Sequence, residues 1–182
     1  MEFKKTEIPG VIIIKPTIFG DERGYFFESF NKKRIEKYVQ NLNFIQDNES
    51  KSQKGVLRGL HFQKPPYSQS KLVRCIKGKI LDVVVDLRKG SPTYGKHISE
   101  ELSEENKKQL YIPKGFAHGF LVKSEEAIIV YKVDNYYAPD YDSGIKWNDI
   151  DLQIDWGVKE EEVILSEKDK KLKSFRDFKS PF

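Results

Sequence analysis

Two runs of the chain set imidazoles among strand-like residues: Val56-Leu57-Arg58-Gly59-Leu60-His61-Phe62-Gln63 and Ile112-Pro113-Lys114-Gly115-Phe116-Ala117-His118-Gly119-Phe120. A sheet has no structural need of a cation or an imidazole, and burying either costs desolvation free energy unless it is paired. With only three His among 182 residues, two in such settings point to deliberate placement. Arg58 lies just before His61, Lys71 follows it, and Tyr131 stands beside Lys132 in another β-type run. Imidazole, ammonium and phenol together suit proton abstraction next to a carbonyl. The His takes the proton, the cation stabilises the enolate oxygen, and the phenol returns a proton. A His base also needs an acceptor for its second ring nitrogen, and Asp82, Asp86 and Asp169 can each supply one. A single strand His is more often a hydrogen-bonded structural residue; it is the company of His61 that favours catalysis.

The elements that must carry these groups are mostly strands. In Ile80-Leu81-Asp82-Val83-Val84-Val85-Asp86-Leu87 the odd-numbered positions are all apolar and Asp82 and Asp86 fall on the other face, a period of two. Val11 to Ile14 and Ala127 to Val133 are further β-branched runs, and Lys77-Gly78-Lys79, Lys89-Gly90-Ser91-Pro92 and Ala138-Pro139-Asp140 read as turns. Helical pattern is confined to about Lys32–Tyr38, Ser103–Gln109 and Glu167–Phe175. Many short strands with regular turns predict an all-β jelly roll with a few short peripheral helices, in one domain over residues 1–182. Strand parity then raises a conflict. Arg58 and His61 are three apart, so an ideal strand points them to opposite faces. A bulge or strand end at Gly59 would re-aim one of them.

Composition removes several function classes. The single Cys75, between apolar neighbours, excludes an intrachain disulfide and a multi-Cys metal site, and reads as a buried structural thiol. The net charge of +4 fits a Lys-rich solvated surface, and no RNA- or DNA-binding motif accompanies it. No apolar run reaches the length of a membrane span, and Met-Glu-Phe-Lys-Lys opens no secretion signal, so a soluble cytoplasmic protein is expected. Pro113-x-Gly115-x-x-His118 looks like the later metal motif of cupins, but after His61 come Phe62 and Gln63 and no carboxylate until Asp82. Two His make a thin ligand set, and no metal is expected.

Three further stretches carry polar or aromatic groups. Asp21-Glu22-Arg23-Gly24-Tyr25-Phe26-Phe27-Glu28 sets charges around aromatics and could equally be a polar-faced edge strand. Gln46-Asp47-Asn48-Glu49-Ser50 is loop-like, either a plain turn or a reader of sugar hydroxyls. Tyr136-Tyr137 beside a Pro turn could pack at an edge or stack on a flat ligand.

Gln46-Asp47-Asn48, Leu57 to Gln63, Ile112 to Phe120 and Gly144-Ile145-Lys146-Trp147-Asn148-Asp149, in this order, closely resemble the dTDP-4-dehydrorhamnose 3,5-epimerase family. The resemblance runs from Phe19 to Asp169. It implies a cofactor-free, cupin-type double-stranded β-helix that forms a homodimer by exchanging N-terminal strands. It also implies a dTDP-4-keto-6-deoxyhexose substrate and a place in dTDP-L-rhamnose biosynthesis. By the same resemblance His61 is the general base, Asp169 its orienting partner, Tyr131 the general acid on the opposite sugar face, and Lys71 the enolate stabiliser. His118 would sit in the sugar pocket, and Arg23 and Arg58 would bind the diphosphate. Glu28, Gln46, Asp47, Asn48 and Tyr137 would contact nucleotide or sugar, and Asp142 and Lys168 the nucleotide end. No Gly-rich dinucleotide fingerprint is present, in keeping with a reaction without redox change. The alternatives are a mono-epimerase or ketoisomerase on a related 4-keto nucleotide sugar, and a non-catalytic sugar-binding cupin. The His61–Tyr131 pair argues for reprotonation on the opposite face, which double epimerisation needs, whereas a missing Tyr would point to the former.

Overall fold

The computed structural model describes residues 1–182. Thirteen strands form its frame: β1 (Glu2–Lys5), β2 (Ile12–Lys15), β3 (Phe19–Asp21), β4 (Gly24–Phe26), β5 (Gln46–Gln53), β6 (Leu57–Gln63), β7 (Lys71–Lys77), β8 (Lys79–Asp86), β9 (His97–Ser103), β10 (Gln109–Ile112), β11 (Phe116–Val122), β12 (Glu126–Val133) and β13 (Asp142–Gly144). A first sheet has the order β1-β2-β10-β7-β12-β5 and a second β13-β6-β11-β8-β9, while β3 and β4 form a separate hairpin. All the strand pairings are antiparallel, and the strands bear out the all-β jelly-roll expectation.

The two sheets bury their facing sides against each other. Val73, Cys75, Leu110 and Ile129 of the first meet Ile80, Val84, Leu102 and Phe120 of the second. The outer faces are covered as well. Trp147, Leu152, Trp156 and the C-terminal Phe175, Phe178 and Phe182 pack on Val83, Val85 and Leu121. Ile35 and Leu42 pack on Ile12, Ile14 and Leu72 of the other sheet. Each such side chain taken from water contributes about 2 kcal/mol.

This double cover gives the alternation along β8 an unexpected sense. Leu81, Val83 and Val85 lie under the C-terminal aromatics. Asp82 and Asp86, both 0 % exposed, lie on the other face of the strand, with the side chains between the sheets. Each carboxylate is therefore paired. Asp82 takes His118, while Asp86 accepts from Arg88 Nε at 2.9 Å and from the hydroxyls of Ser91 and Thr93. These bonds, chiefly from Arg88, overcome burial and hold the Asp86 carboxyl at about 2.

The helical expectations shrink. Lys32–Tyr38 forms one α-turn, Lys32–Ile35, capped by Asn31. Ser103–Gln109 is not helical: Ser103 N–H donates to Asn106 Oδ1 and Asn106 N–H to Ser103 Oγ, so side chains take the bonds a helix would need. Glu167–Phe175 holds only a 3₁₀ turn at Asp169–Lys171, because Lys173 pairs with Ile145 and Phe175 N–H is bound by Asp149.

The parity conflict is resolved by a bulge. His61 pairs with His118 and Arg58 with Phe120, so three steps along β6 face two along β11. Gly59 has φ +140°, and a Cβ there would stand 2.5 Å from Gly119 Cα. Only glycine meets both demands at low cost.

Candidate active site

A cavity of about 530 Å³ opens between the sheets. From the second sheet come Arg58, His61 and His118, and from the first Ser50, Lys71 and Tyr131. Arg58 and His61 share this cavity because the bulge turns them to one side. A third wall is the C-terminal segment Ile164 to Asp169, which lies along β6: Ile164 N–H donates to Gly55 O and Leu57 N–H to Ile164 O.

His61 Nε2 lies 2.5 Å from Asp169 Oδ1, and Asp169 is 3 % exposed. Burial alone would raise the Asp169 carboxyl; the bond from His61 and that from Ser166 outweigh it and hold the carboxyl below the usual range. Asp169 is thus an anion behind the imidazole. The arrangement orients the ring and stabilises it once it carries a proton. Of the three acceptors open in the sequence, Asp169 serves His61, Asp82 serves His118 and Asp86 serves Arg88.

His118 and Asp82 form a second buried pair, Nε2 lying 2.9 Å from Oδ2. Burial lowers the His118 pKa more than Asp82 raises it, so the imidazole stays neutral and donates Nε2–H to the carboxylate. Lys71 is lowered to about 8, by burial first, against the pull of Asp82 and Asp142. Its ammonium lies 6.0 Å from the centre of the Tyr131 ring. Burial raises the Tyr131 pKa, with Arg58 opposing, so the phenol keeps its proton at neutral pH. Arg58 donates through Nε to Ser52 Oγ at 3.0 Å.

An adjoining pocket of about 350 Å³ shares His61, Lys71 and Tyr131 with the first cavity and adds Gln46, Asn48, Tyr137 and Asp142. Tyr137 Oη donates to Asp142 Oδ2 at 3.1 Å, and Lys168 Nζ donates to the same oxygen. The Tyr137 ring is otherwise open, at 57 % exposure, as a ring that stacks on a flat ligand would be.

Ten of the expected site residues thus converge on the joined cavities: His61, Tyr131, Asp169, Lys71, Arg58, His118, Gln46, Asn48, Tyr137 and Asp142, with Lys168 on the C-terminal wall. Three stand elsewhere in the single chain. Arg23 sits on the exposed β3–β4 hairpin paired with Asp21. Glu28 bonds Asn31 and Arg34. Asp47 is turned by strand alternation to the outer side of β5, where Lys132 holds it at 2.9 Å. Sequence reasoning missed Ser50, Ser52 and Ser166. Gln46, Asn48, Ser50 and Ser52 are one face of β5 at a period of two, a signal hidden by reading the stretch as a loop. Ser50 Oγ is buried without a hydrogen-bond partner beside the cavity.

Residues 5–177 match the family model for dTDP-4-dehydrorhamnose 3,5-epimerase. The chain belongs to this family. A dTDP-4-dehydrorhamnose 3,5-epimerase of Shigella flexneri is 55 % identical, covering 93 % of each chain. The enzyme from Legionella pneumophila, solved with dTDP-4-keto-L-rhamnose, is 47 % identical over 98 % of this chain and 94 % of that one, with a TM-score of 0.93. The protein is accordingly an isomerase-class enzyme with a cupin fold. A 3′-monoepimerase from Streptomyces bikiniensis, solved with dTDP as a His-to-Asn, Tyr-to-Phe double mutant, is 29 % identical. It covers 93 % of this chain and 85 % of its own, with a TM-score of 0.87. A His and a Tyr were therefore the residues replaced in a mono-epimerase, and the His61–Tyr131 pair by itself does not separate one inversion from two.

Proposed function

We propose that the protein converts dTDP-4-dehydro-6-deoxy-D-glucose to dTDP-4-dehydro-L-rhamnose by inverting carbons 3 and 5. The observation that carries the enolate chemistry is the placement of His61 and Tyr131 on opposite sheets across one cavity, with Lys71 beside Tyr131 on the first sheet. Inversion at both carbons is supported by the 3,5-epimerases to which the chain is 55 % and 47 % identical over nearly its whole length. Both carbons flank the 4-keto group, so the same enolate chemistry serves each. His61, backed by Asp169, removes the proton from one face of the sugar. The Lys71 ammonium stabilises the enolate oxygen, and Tyr131 delivers a proton to the other face. No electron leaves the sugar, so the chain's own side chains suffice. His118 and Asn48 lie where they could meet sugar hydroxyls, Arg58 suits the diphosphate, and Gln46, Tyr137, Asp142 and Lys168 suit the nucleotide end.

Arg23 and Glu28 belong to this reading only through a second copy. Phe19, Tyr25 and Phe26 of the β3–β4 hairpin are 62 %, 62 % and 67 % exposed, a surface suited to exchange between two chains. A homodimer would then bring the partner's hairpin to each cavity. No helix is long and apolar enough to cross a membrane. We assign the enzyme to the cytoplasm, where nucleotide sugars are made.

The test runs the reaction in heavy water with dTDP-4-keto-6-deoxyglucose and reads deuterium by NMR. Label at both carbons 3 and 5 is expected, and label at carbon 3 alone would favour the mono-epimerase reading. Tyr131→Phe should still wash deuterium in while losing inverted product by about 10²-fold or more. Full epimerisation by that variant would overturn the acid assignment.

A further inference from the structure

The segment Asp134 to Ala138, which carries Tyr137, has no strand partner, yet its main-chain groups are not left to water. Gln69 Nε2 donates to Asn135 O at 2.8 Å. Gln63 Nε2 donates to Tyr136 O at 3.1 Å and to Tyr67 O at 2.6 Å. Tyr137 N–H donates to Gln46 Oε1 at 3.2 Å, and Ala138 N–H to Gln63 Oε1 at 2.8 Å. Three side-chain amides from three parts of the chain thus replace a strand as the segment's partner.

Gln63 is the centre of this clasp. It is 5 % exposed, it lies two residues beyond His61 on β6, and it alone holds the segment on both sides of Tyr137. Both hydrogens of its amide nitrogen and its oxygen are spent on main chain, which leaves no donor for a ligand. Apart from Gln46, which bonds the Tyr137 amide, and Asp142, which bonds its hydroxyl, nothing else fixes the half-exposed tyrosine.

We propose that Gln63 is a positioning residue that sets the reach between the catalytic imidazole and the nucleotide. It fixes the main chain of Tyr137 relative to the strand that carries His61, so that a base stacked on Tyr137 leaves the sugar at the right distance from His61. This rests on the assignment of Tyr137 to the nucleotide end. Without the clasp the ring samples several positions, and part of the binding free energy of the base goes into re-ordering it.

A double-mutant cycle on the full chain tests this, with dTDP affinity read by calorimetry and turnover by a coupled reductase. Gln63→Met keeps the side-chain length and removes every bond that Gln63 makes in the clasp, including those on both sides of Tyr137. It is expected to weaken dTDP about tenfold and raise KM similarly, with kcat at saturating substrate within about threefold of the parent. Tyr137→Ala is expected to weaken dTDP at least as much, and the double variant no more than Tyr137→Ala alone. A merely structural role would lower kcat and the folded fraction together, and the two losses would multiply; either result overturns the proposal. If Tyr137→Ala leaves dTDP affinity unchanged, the nucleotide assignment fails and the inference with it. If Tyr137→Ala weakens dTDP and Gln63→Met does not, the inference alone fails. Should Gln63→Met not fold, Gln69→Leu, which releases Asn135 O from the same clasp, must raise KM with kcat kept, and an unchanged KM overturns the proposal.

Discussion

Asp169→Asn isolates the charge behind the base. The amide keeps the size of the carboxylate and can still accept a hydrogen bond from His61, and the main-chain bond from Asp169 N–H to Ser166 Oγ is untouched. What disappears is the anion facing an imidazole that, as the proposed base, becomes cationic on taking the proton. Two unit charges about 4 Å apart attract by about 4 kcal/mol at an effective dielectric near 20. A hydrogen bond to a charged group contributes about 1.5–3 kcal/mol against about 1 for a neutral one. The hydrogen-bond difference, about 0.5–2 kcal/mol and centred near 1, sets the lower limit and the Coulomb figure the upper, so the loss falls at about 1–4 kcal/mol, or roughly 5- to 1,000-fold in rate. If one imidazole serves both centres, as proposed, deuterium wash-in at carbons 3 and 5 should slow by the same factor, with dTDP affinity unchanged. The measurement is single-turnover exchange in heavy water followed by NMR. A loss under threefold, or slowing at one carbon only, would refute the view that the His61–Asp169 pair acts as the base at both.

Two other expectations follow from the geometry. Lys71, lowered to about 8 by burial, is an ammonium below that pH and neutral above it. If the charge stabilises the enolate, kcat/KM falls as pH rises through about 8; in Lys71→Met this limb should vanish along with most of the rate, and its persistence would reassign the limb to another group. Gly59→Ala places a Cβ 2.5 Å from Gly119 Cα at φ +140°, so the bulge must shift. The cost is expected at about 3 kcal/mol or more, read as a fall in melting temperature, with activity lost beyond what the unfolded fraction explains; a variant as stable and active as the parent would show the bulge dispensable.

Much of the site was legible in the residues because chemistry restricts types. A buried strand tolerates His61, His118 and Arg58 only for a purpose, and β-type alternation with regular turns announced the sheets. The parity of Arg58 and His61 around Gly59 even located the bulge. Helices were over-read where Ser103 and Asn106 bond each other's main chain, since a local pattern does not reveal which partner a backbone amide will choose. The stretch Gln46 to Ser50 was under-read for the opposite reason. Its pairing with Tyr131 and its neighbours on β12 makes it a strand although its composition is that of a loop.

The sequence by itself determined the kinds of group available, the all-β frame and the family. It left three carboxylates open as partners for His61. Only the tertiary structure chose among them, because Asp169 reaches His61 across 108 positions of chain once the C-terminal segment lies along β6. It also turned the acidic side of β8 inward, where Asp82 meets His118 as its hydrogen-bond partner, and it turned Asp47 away from the cavity. Residue types are local, whereas pairing, facing and desolvation depend on what the rest of the chain brings alongside.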